Sequence, residues 1–201
     1  VLLDGLRRLE YRGYDSAGVA LQTEAGLTLV KRSGKLGSLE AALQADPPPP
    51  ATAGIGHTRW ATHGGPTDAN AHPHLAGQGR IAVIHNGIIE NFASLKAELL
   101  AAGVEFASQT DTEVAAHLLA RAHAETGDLG EAMRSVVRRL EGAFTLLALH
   151  ADVPDTIVGA RRNSPLVVGL GDGENFLGSD VAAFIGHTRR AVELGQDQVV
   201  T

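Results

Sequence analysis

Leu2, Leu3, Leu6 and Leu9 recur at helical spacing on one face, while Arg7, Arg8 and Glu10 take the other. The chain therefore opens on an amphipathic helix, which Gly13 stops. Residues 17–22 and 27–32 read as paired strands, with Glu24-Ala25-Gly26 as their hairpin turn. A short helix is expected over 36–44. The four prolines 47–50 form an exposed extended connector, because proline joins neither a helix interior nor a central strand. Residues 52–57 form a strand, Asn70-Ala71-His72-Pro73-His74 a loop, and 81–84 a buried apolar strand ending in His85-Asn86-Gly87. Asn-Gly at that point has the chemistry of a tight turn with positive φ. Three helices follow. Asn91 caps the first, over 92–102, with Phe92, Leu95 and Leu99 inward and Gly103 closing it. Thr110 and Glu113 stand at capping-box spacing for the second, whose apolar stripe is Val114, Leu118 and Leu119. Asp128 and Glu131 repeat that start for the third, in which Leu129, Met133, Val136, Val137 and Leu140 point inward. Beyond residue 143 the pattern turns to short apolar strands, 143–149, 156–160, 166–170 and 175–177, with a short helix over 180–186. Strands, then helices, then strands, with antiparallel neighbours, predict an α+β fold in which helices pack outside a pair of stacked sheets. There is no internal repeat and no strong linker, so residues 1–201 are expected to form one domain.

Composition narrows what such a domain can do. With 44% hydrophobic and 20% charged residues the chain can bury a core, and with only 4% aromatics that core must be aliphatic and alanine-rich. A formal net charge of −6 argues against a general nucleic-acid partner, which needs a basic face for phosphates. The chain has no cysteine, so it offers no disulfide, thiolate zinc site or cysteine nucleophile. No apolar run approaches a membrane span and no signal peptide is visible, so no membrane partner and a cytoplasmic location are expected. The first residue is Val1, and Gln198-Val199-Val200-Thr201 reads as the middle of a strand. Both ends are expected to be cuts in a longer protein.

The densest chemistry lies in His57-Thr58-Arg59-Trp60-Ala61-Thr62-His63-Gly64. Glycines before it and Gly64-Gly65-Pro66 after it put these residues at a strand end or on a loop. A planar cation, the only tryptophan and a hydroxyl suit a small polar ligand; the plainer alternative is a surface turn with a stacked Arg-Trp pair. Five of the nine histidines fall between 57 and 85, but no cysteine or carboxylate pair completes a ligand set, so no metal is expected. Ser16, Ser33, Ser164 and Ser179 lack the glycine-flanked elbow of a serine hydrolase. Gly169-Leu170-Gly171-Asp172-Gly173 has no strong helix after it and reads as a hairpin turn, not a phosphate cradle. An amino acid as ligand makes a more coherent set. Arg59 can take its α-carboxylate and Asp111 its ammonium, although an acidic residue also simply favours a helix start. Asn86, by its side-chain amide, and Gly87, by its backbone N–H, can serve a developing oxyanion. The set lacks a nucleophile.

A resemblance spans nearly the whole chain. Glu10-Tyr11-Arg12-Gly13-Tyr14-Asp15-Ser16-Ala17-Gly18, the 57–64 stretch, Asn70-Ala71-His72-Pro73-His74, His85-Asn86-Gly87-Ile88-Ile89-Glu90-Asn91, Thr110-Asp111-Thr112-Glu113, Ser164-Pro165-Leu166-Val167-Val168-Gly169 and Gly173-Glu174-Asn175-Phe176 occur in the order of one family. The sequence resembles the glutaminase (type 2 glutamine amidotransferase) domain of the glutamine–fructose-6-phosphate aminotransferase family. That resemblance implies an N-terminal-nucleophile hydrolase sandwich, four layers α-β-β-α with two antiparallel sheets between helices. It implies attack by an N-terminal cysteine thiol on the side-chain amide of glutamine, with the cysteine's own amino group as base and no cofactor. Carried over by motif, Arg59 binds the glutamine carboxylate, Thr62 and His63 shape the same pocket, and Trp60 rides a mobile loop that closes over it. Asp111 binds the ammonium, Asn86 and Gly87 form the oxyanion hole, and Arg12 helps to position the nucleophilic terminus.

The departure concerns the nucleophile. The family's motif begins Cys-Gly-Ile on a strand before the first helix, and this chain starts inside that helix. The resemblance implies a fragment with no glutaminase turnover of its own. It further implies C-terminal sugar-phosphate isomerase domains that use the ammonia to make glucosamine 6-phosphate, and a homodimer at full length. A non-catalytic glutamine- or glutamate-binding module and a purely structural domain are the competing readings.

Overall fold

The computed structural model describes residues 1–201. Helix α1 spans Leu2–Arg8 and passes into a 3₁₀ turn at Glu10–Arg12, which Gly13 ends with a φ of 75°. Strands β1 (Ser16–Thr23) and β2 (Gly26–Ser33) form the expected hairpin, in a register that pairs Val19 with Val30. Helix α2 covers Leu36–Ala45, and the prolines lead without regular structure to β3 (Ala53–Arg59). β3 pairs antiparallel with β1, so the order is β2-β1-β3 and β3 is an edge. It runs two residues beyond the expected end. Ile55, His57 and Arg59 thereby share the buried side of its alternation, and the loop begins only at Trp60.

Strand β4 (His74–Ala76) stands where only a loop was expected; three residues behind a proline carry too little alternation to be read as a strand. β5 covers Ile81–Ile89. The turn expected at Asn86-Gly87 does not form: the pairing with β6 (Gly142–His150) runs unbroken, Asn86 opposite Thr145 and Gly87 opposite Phe144. Gly87 does have the positive φ, 113°, but for another reason. A Cβ there would lie 2.0 Å from the carbonyl oxygen of Ala143, so glycine serves close backbone approach inside the ladder.

Helices α3 (Phe92–Ala101), α4 (Asp111–Thr126) and α5 (Leu129–Arg139) follow. Thr110 caps α4, its hydroxyl accepting from the Glu113 N–H at 3.3 Å, and Asp128 caps α5 through the Glu131 N–H at 2.8 Å. The reciprocal half of the capping box is missing, because the Glu113 carboxylate accepts instead from the backbone N–H groups of Ala107 and Ser108. Asn91 precedes α3 without capping it; its amide donates to Arg139 O and accepts from Glu141 N–H, tying α3 to the end of α5. Beyond β7 (Val158–Arg162), β8 (Val167–Leu170) and β9 (Asn175–Gly178) form a hairpin, with Gly171 N–H donating to Glu174 O in its turn, as expected of the glycine-rich stretch. The helix expected over 180–186 shrinks to a 3₁₀ turn at Val181–Ala183, and β10 (Ala191–Glu193) and β11 (Val199–Val200) complete the chain.

The layers are those of an α-β-β-α sandwich. On one outside, α1 and α2 bury Leu6, Leu36 and Leu39 against Val19 of β1. Between the sheets lie Ala20, Ile55, Ala82, Ile84, Leu147 and Leu149. The far face of the five-stranded sheet β11-β7-β6-β5-β4 carries the largest cluster, in which Val114, Leu118, Leu119, Met133 and Val136 of α4 and α5 meet Val83 and Leu146. The near layer is not one continuous ladder. It divides into β2-β1-β3 and β10-β8-β9, and the edges β3 and β9 face a common cleft.

Candidate active site

The cleft has a volume of about 2110 Å³, with β3 on one side, β9 on the other and Asn86, Gly87 and Thr145 of the five-stranded sheet among its lining residues. An ordinary small-molecule pocket takes roughly 300–1,000 Å³, so the cleft has room for more than one amino acid. Among the candidate residues, Arg12, Arg59, Trp60, Thr62, Asn86, Gly87 and Asp111 all line it. His63 does not: its ring packs on Phe92 at 4.5 Å between centroids, and only its carbonyl serves the site, as an acceptor from Arg59.

Arg59 is 3% exposed at the end of β3, where it organises the loop that follows. One amino group donates to His63 O (2.5 Å) and Gly64 O (3.0 Å), and the other reaches Gly65 O at 3.4 Å. Asp15 lies 4.0 Å away. Burial lowers the guanidinium below its ordinary value, while Asp15 and Asp111 hold it up. A guanidinium has about five N–H donors, so the three loop contacts leave donors for a carboxylate. Trp60 is 68% exposed, its ring lying across Gly13, where a Cβ would come within 3.2 Å of it. Arg12 is anchored at the mouth of the cleft: it donates to Ser179 Oγ (2.8 Å) and Asp180 Oδ2 (3.0 Å), joining the corner after α1 to the end of β9. Asp111 opens α4, buried, with one carboxylate oxygen accepting from Ile89 N–H at 3.0 Å and lying 3.7 Å from His85 Nδ1.

Three further residues hold this arrangement together. Asp15 accepts from Ala61 N–H (2.6 Å) and from Ser16 Oγ, pinning the start of the loop. Asn70 donates to Gly65 O and accepts from Gln109 N–H, pinning its end to the approach of α4. His57 Nε2 meets Asn86 Oδ1 at 2.7 Å. No local pattern marks these pairings, because each joins segments 29 to 46 residues apart or serves the loop backbone. The motifs that contain them were the only available signal.

Behind His57 lies a buried row of imidazoles. Its ring is 4.3 Å from that of His72, which is 5.1 Å from that of His74; His74 Nε2 meets Thr110 Oγ1 at 2.9 Å. Burial, more than neighbouring cations, pushes the ring of His57 down to about 4 and that of His74 to about 3, and carries His72 and His85 down as well. These rings are neutral near pH 7. No group of three or more His, Asp or Glu side chains is arranged to hold a metal ion.

Comparison with known proteins gives the family of the chain. A family model described as glutamine amidotransferase domain matches residues 57–186. The glutamine–fructose-6-phosphate aminotransferases [isomerizing] of Streptomyces coelicolor, Leifsonia xyli and Mycobacterium tuberculosis are 69%, 67% and 63% identical to the chain over its whole length. The chain spans only 32–33% of those relatives. Among solved structures, the glutamine phosphoribosylpyrophosphate amidotransferase of B. subtilis, with ADP and GMP, superposes with a TM-score of 0.80 at 26% identity, covering 98% of this chain and 43% of that one. A structure described as the allosteric regulatory enzyme of purine biosynthesis gives 0.82 at 27% identity, with the same coverage of each chain.

Proposed function

Because the chain belongs to the glutamine amidotransferase domain family, we propose that it is the glutaminase part of a glutamine–fructose-6-phosphate aminotransferase, releasing ammonia from glutamine for transfer to fructose 6-phosphate. The observation that carries this reading is the cleft itself. It joins an amide and a glycine N–H on β5 to a buried carboxylate, Asp111, and to an arginine-braced loop. Arg59 anchors the glutamine α-carboxylate, Asp111 its ammonium, and Trp60 with Thr62 covers it. A thiol attacks the side-chain carbonyl, and Asn86 and Gly87 receive the charge that moves onto the carbonyl oxygen. Ammonia leaves, and water releases glutamate from the thioester.

The thiol comes from outside these 201 residues, which contain no cysteine. The cleft is open between two strand edges and larger than glutamine needs, which suits an added strand carrying an N-terminal cysteine. Sugar-phosphate isomerase domains elsewhere in the protein take the ammonia, in a homodimer in the cytoplasm; no helix here is long and apolar enough to cross a membrane. The lack of cysteine also favours a second reading, a module that binds glutamine or glutamate without hydrolysing it. Glutamine hydrolysis separates the two: the 201 residues alone turn over nothing, and extension by a Cys-Gly-Ile strand restores release of ammonia. In the extended protein Asn86→Ala lowers kcat by about 10²–10³-fold. An extended chain that binds glutamine and stays inert would leave the binding module standing.

A further inference from the structure

The proposed chemistry uses Asn86 only as a donor, yet a primary amide has a donor end and an acceptor end of nearly identical shape. Turned one way, Asn86 offers Nδ2 hydrogens to an oxyanion. Turned the other, it offers a carbonyl oxygen that repels one. Something must choose, and the choice is made where the far end of the amide is buried. That end, Oδ1, lies 2.7 Å from Nε2 of His57. His57 is 8% exposed, and its other nitrogen, Nδ1, makes no hydrogen bond of ordinary geometry, although the His85 backbone carbonyl lies near enough to the ring to favour its protonated form. A buried N–H without a well-placed acceptor is costlier than an unshared lone pair, so the single proton of the neutral ring belongs on Nε2, where the Asn86 oxygen stands at 2.7 Å. With Nε2–H donating, Asn86 must present Oδ1 to the histidine and Nδ2 to the cleft.

The surroundings hold this ring in place. His57 stands on β3 opposite Gly18 of β1, and a Cβ on Gly18 would fall 2.3 Å from the carbonyl oxygen of His72. The glycine admits the 72–73 backbone and lets the His72 ring back the His57 ring at 4.3 Å. We propose that His57 is a positioning residue of the glutaminase reaction: its Nε2–H fixes the Asn86 amide with the donor end toward the substrate. The Nε2–H···Oδ1 bond, between two side chains that line the same cleft, is the feature that carries this. Burial supports it by keeping the ring neutral down to a pH of about 4, so that the same tautomer persists across the range in which an amine base works.

The inference rests on the oxyanion role given to Asn86, and the test separates the two. In the protein extended by its cysteine-first strand, His57→Phe keeps a flat aromatic ring, somewhat larger than imidazole, and removes the donor, whereas His57→Gln restores a donor amide. The expected result is a kcat about 10–100-fold lower for His57→Phe, a KM for glutamine within about twofold, and substantial recovery in His57→Gln. His57→Phe combined with Asn86→Ala should be no slower than Asn86→Ala alone, since the histidine acts only through the amide. A normal kcat in Asn86→Ala overturns the oxyanion reading and the inference with it. A slow Asn86→Ala beside a normal His57→Phe, or strict additivity of the two, overturns the inference alone. Imidazole nitrogen NMR of the unaltered protein tests the tautomer independently of whether any variant folds: a neutral Nε2–H ring is expected, and a proton on Nδ1 sinks the proposal.

Discussion

At the level of single residues, the most demanding position is Gly87. Its φ of 113° is one that side-chain-bearing residues rarely adopt, and the 2.0 Å approach to Ala143 O leaves no room for a methyl group. Gly87→Ala is expected to destabilise the fold by about 2–4 kcal/mol, read from denaturant midpoints, because strain and overlap add and the neighbour is backbone that cannot swing away. An unchanged midpoint would mean that β5 and β6 separate more easily than their ladder suggests. The sequence offered Arg59 for a carboxylate, Asp111 for an ammonium or simply a helix start, and Asn86 with Gly87 for a developing oxyanion or simply a tight turn; the fold brings all four to one cleft. Their neighbours were not legible in the sequence. That Arg59 already holds three loop carbonyls, and that Asp15, Asn70 and His57 brace the site, depends on contacts across the fold.

Among the elements, α4 connects stability to the site. Asp111 is its first residue, and Thr110 before it does two jobs, capping the helix through the Glu113 N–H and meeting His74 Nε2 at 2.9 Å. Thr110→Ala removes both. The expected loss is about 1–2 kcal/mol in equilibrium unfolding, at the upper end of a cap's usual worth because the stranded imidazole nitrogen is buried. Thr110→Ser keeps the hydroxyl and should recover most of it; if serine fares no better than alanine, the methyl group and not the cap is what matters. Helix starts were readable here because capping is local: Thr110 and Asp128 act where their spacing to Glu113 and Glu131 placed them. Asn91 was misread because its amide finds partners at the end of α5, a competition that no local pattern encodes. Asn86-Gly87 was misread as a turn because positive φ is shared by tight turns and by glycines that admit a neighbouring strand.

Over the whole molecule, the two β layers meet across a seam that includes neutral histidines. Unfolded, such a ring takes up a proton near 6.5; folded, His57 resists until about 4 and His74 until about 3. Between those limits the unfolded state holds more protons, so stability is complete above about 6.5 and falls as the pH drops, by roughly 1.4 kcal/mol per pH unit for each such ring. Burial works to raise the Glu113 carboxyl, but the His117 ring 3.6 Å away and hydrogen bonds from Ser108 Oγ and the Ala107 and Ser108 N–H groups outweigh it and bring it to about 2. Its contribution is lost below about 4.5, in the same direction. Urea denaturation at successive pH values from 8 to 4 should therefore give a steep loss below 6.5, with a shallower slope in His74→Gln. A flat profile down to 5 would show that these rings protonate in place.

Local rules carried the elements, their order and the inward faces, since periodicity and capping act within a few residues and this chain obeys them nearly everywhere. Those rules pointed to helices outside a pair of stacked sheets, and the residue chemistry to an amino acid as ligand; the four-layer sandwich and glutamine were implied only by the family resemblance. Long-range packing alone set the rest: a near layer split into two three-stranded sheets, a ladder running straight through Asn86-Gly87, and His63 turned onto Phe92. A hydrogen bond such as His57 to Asn86 is chosen by which strands come to face each other, and that follows from burying two apolar faces together rather than from any residue near either partner.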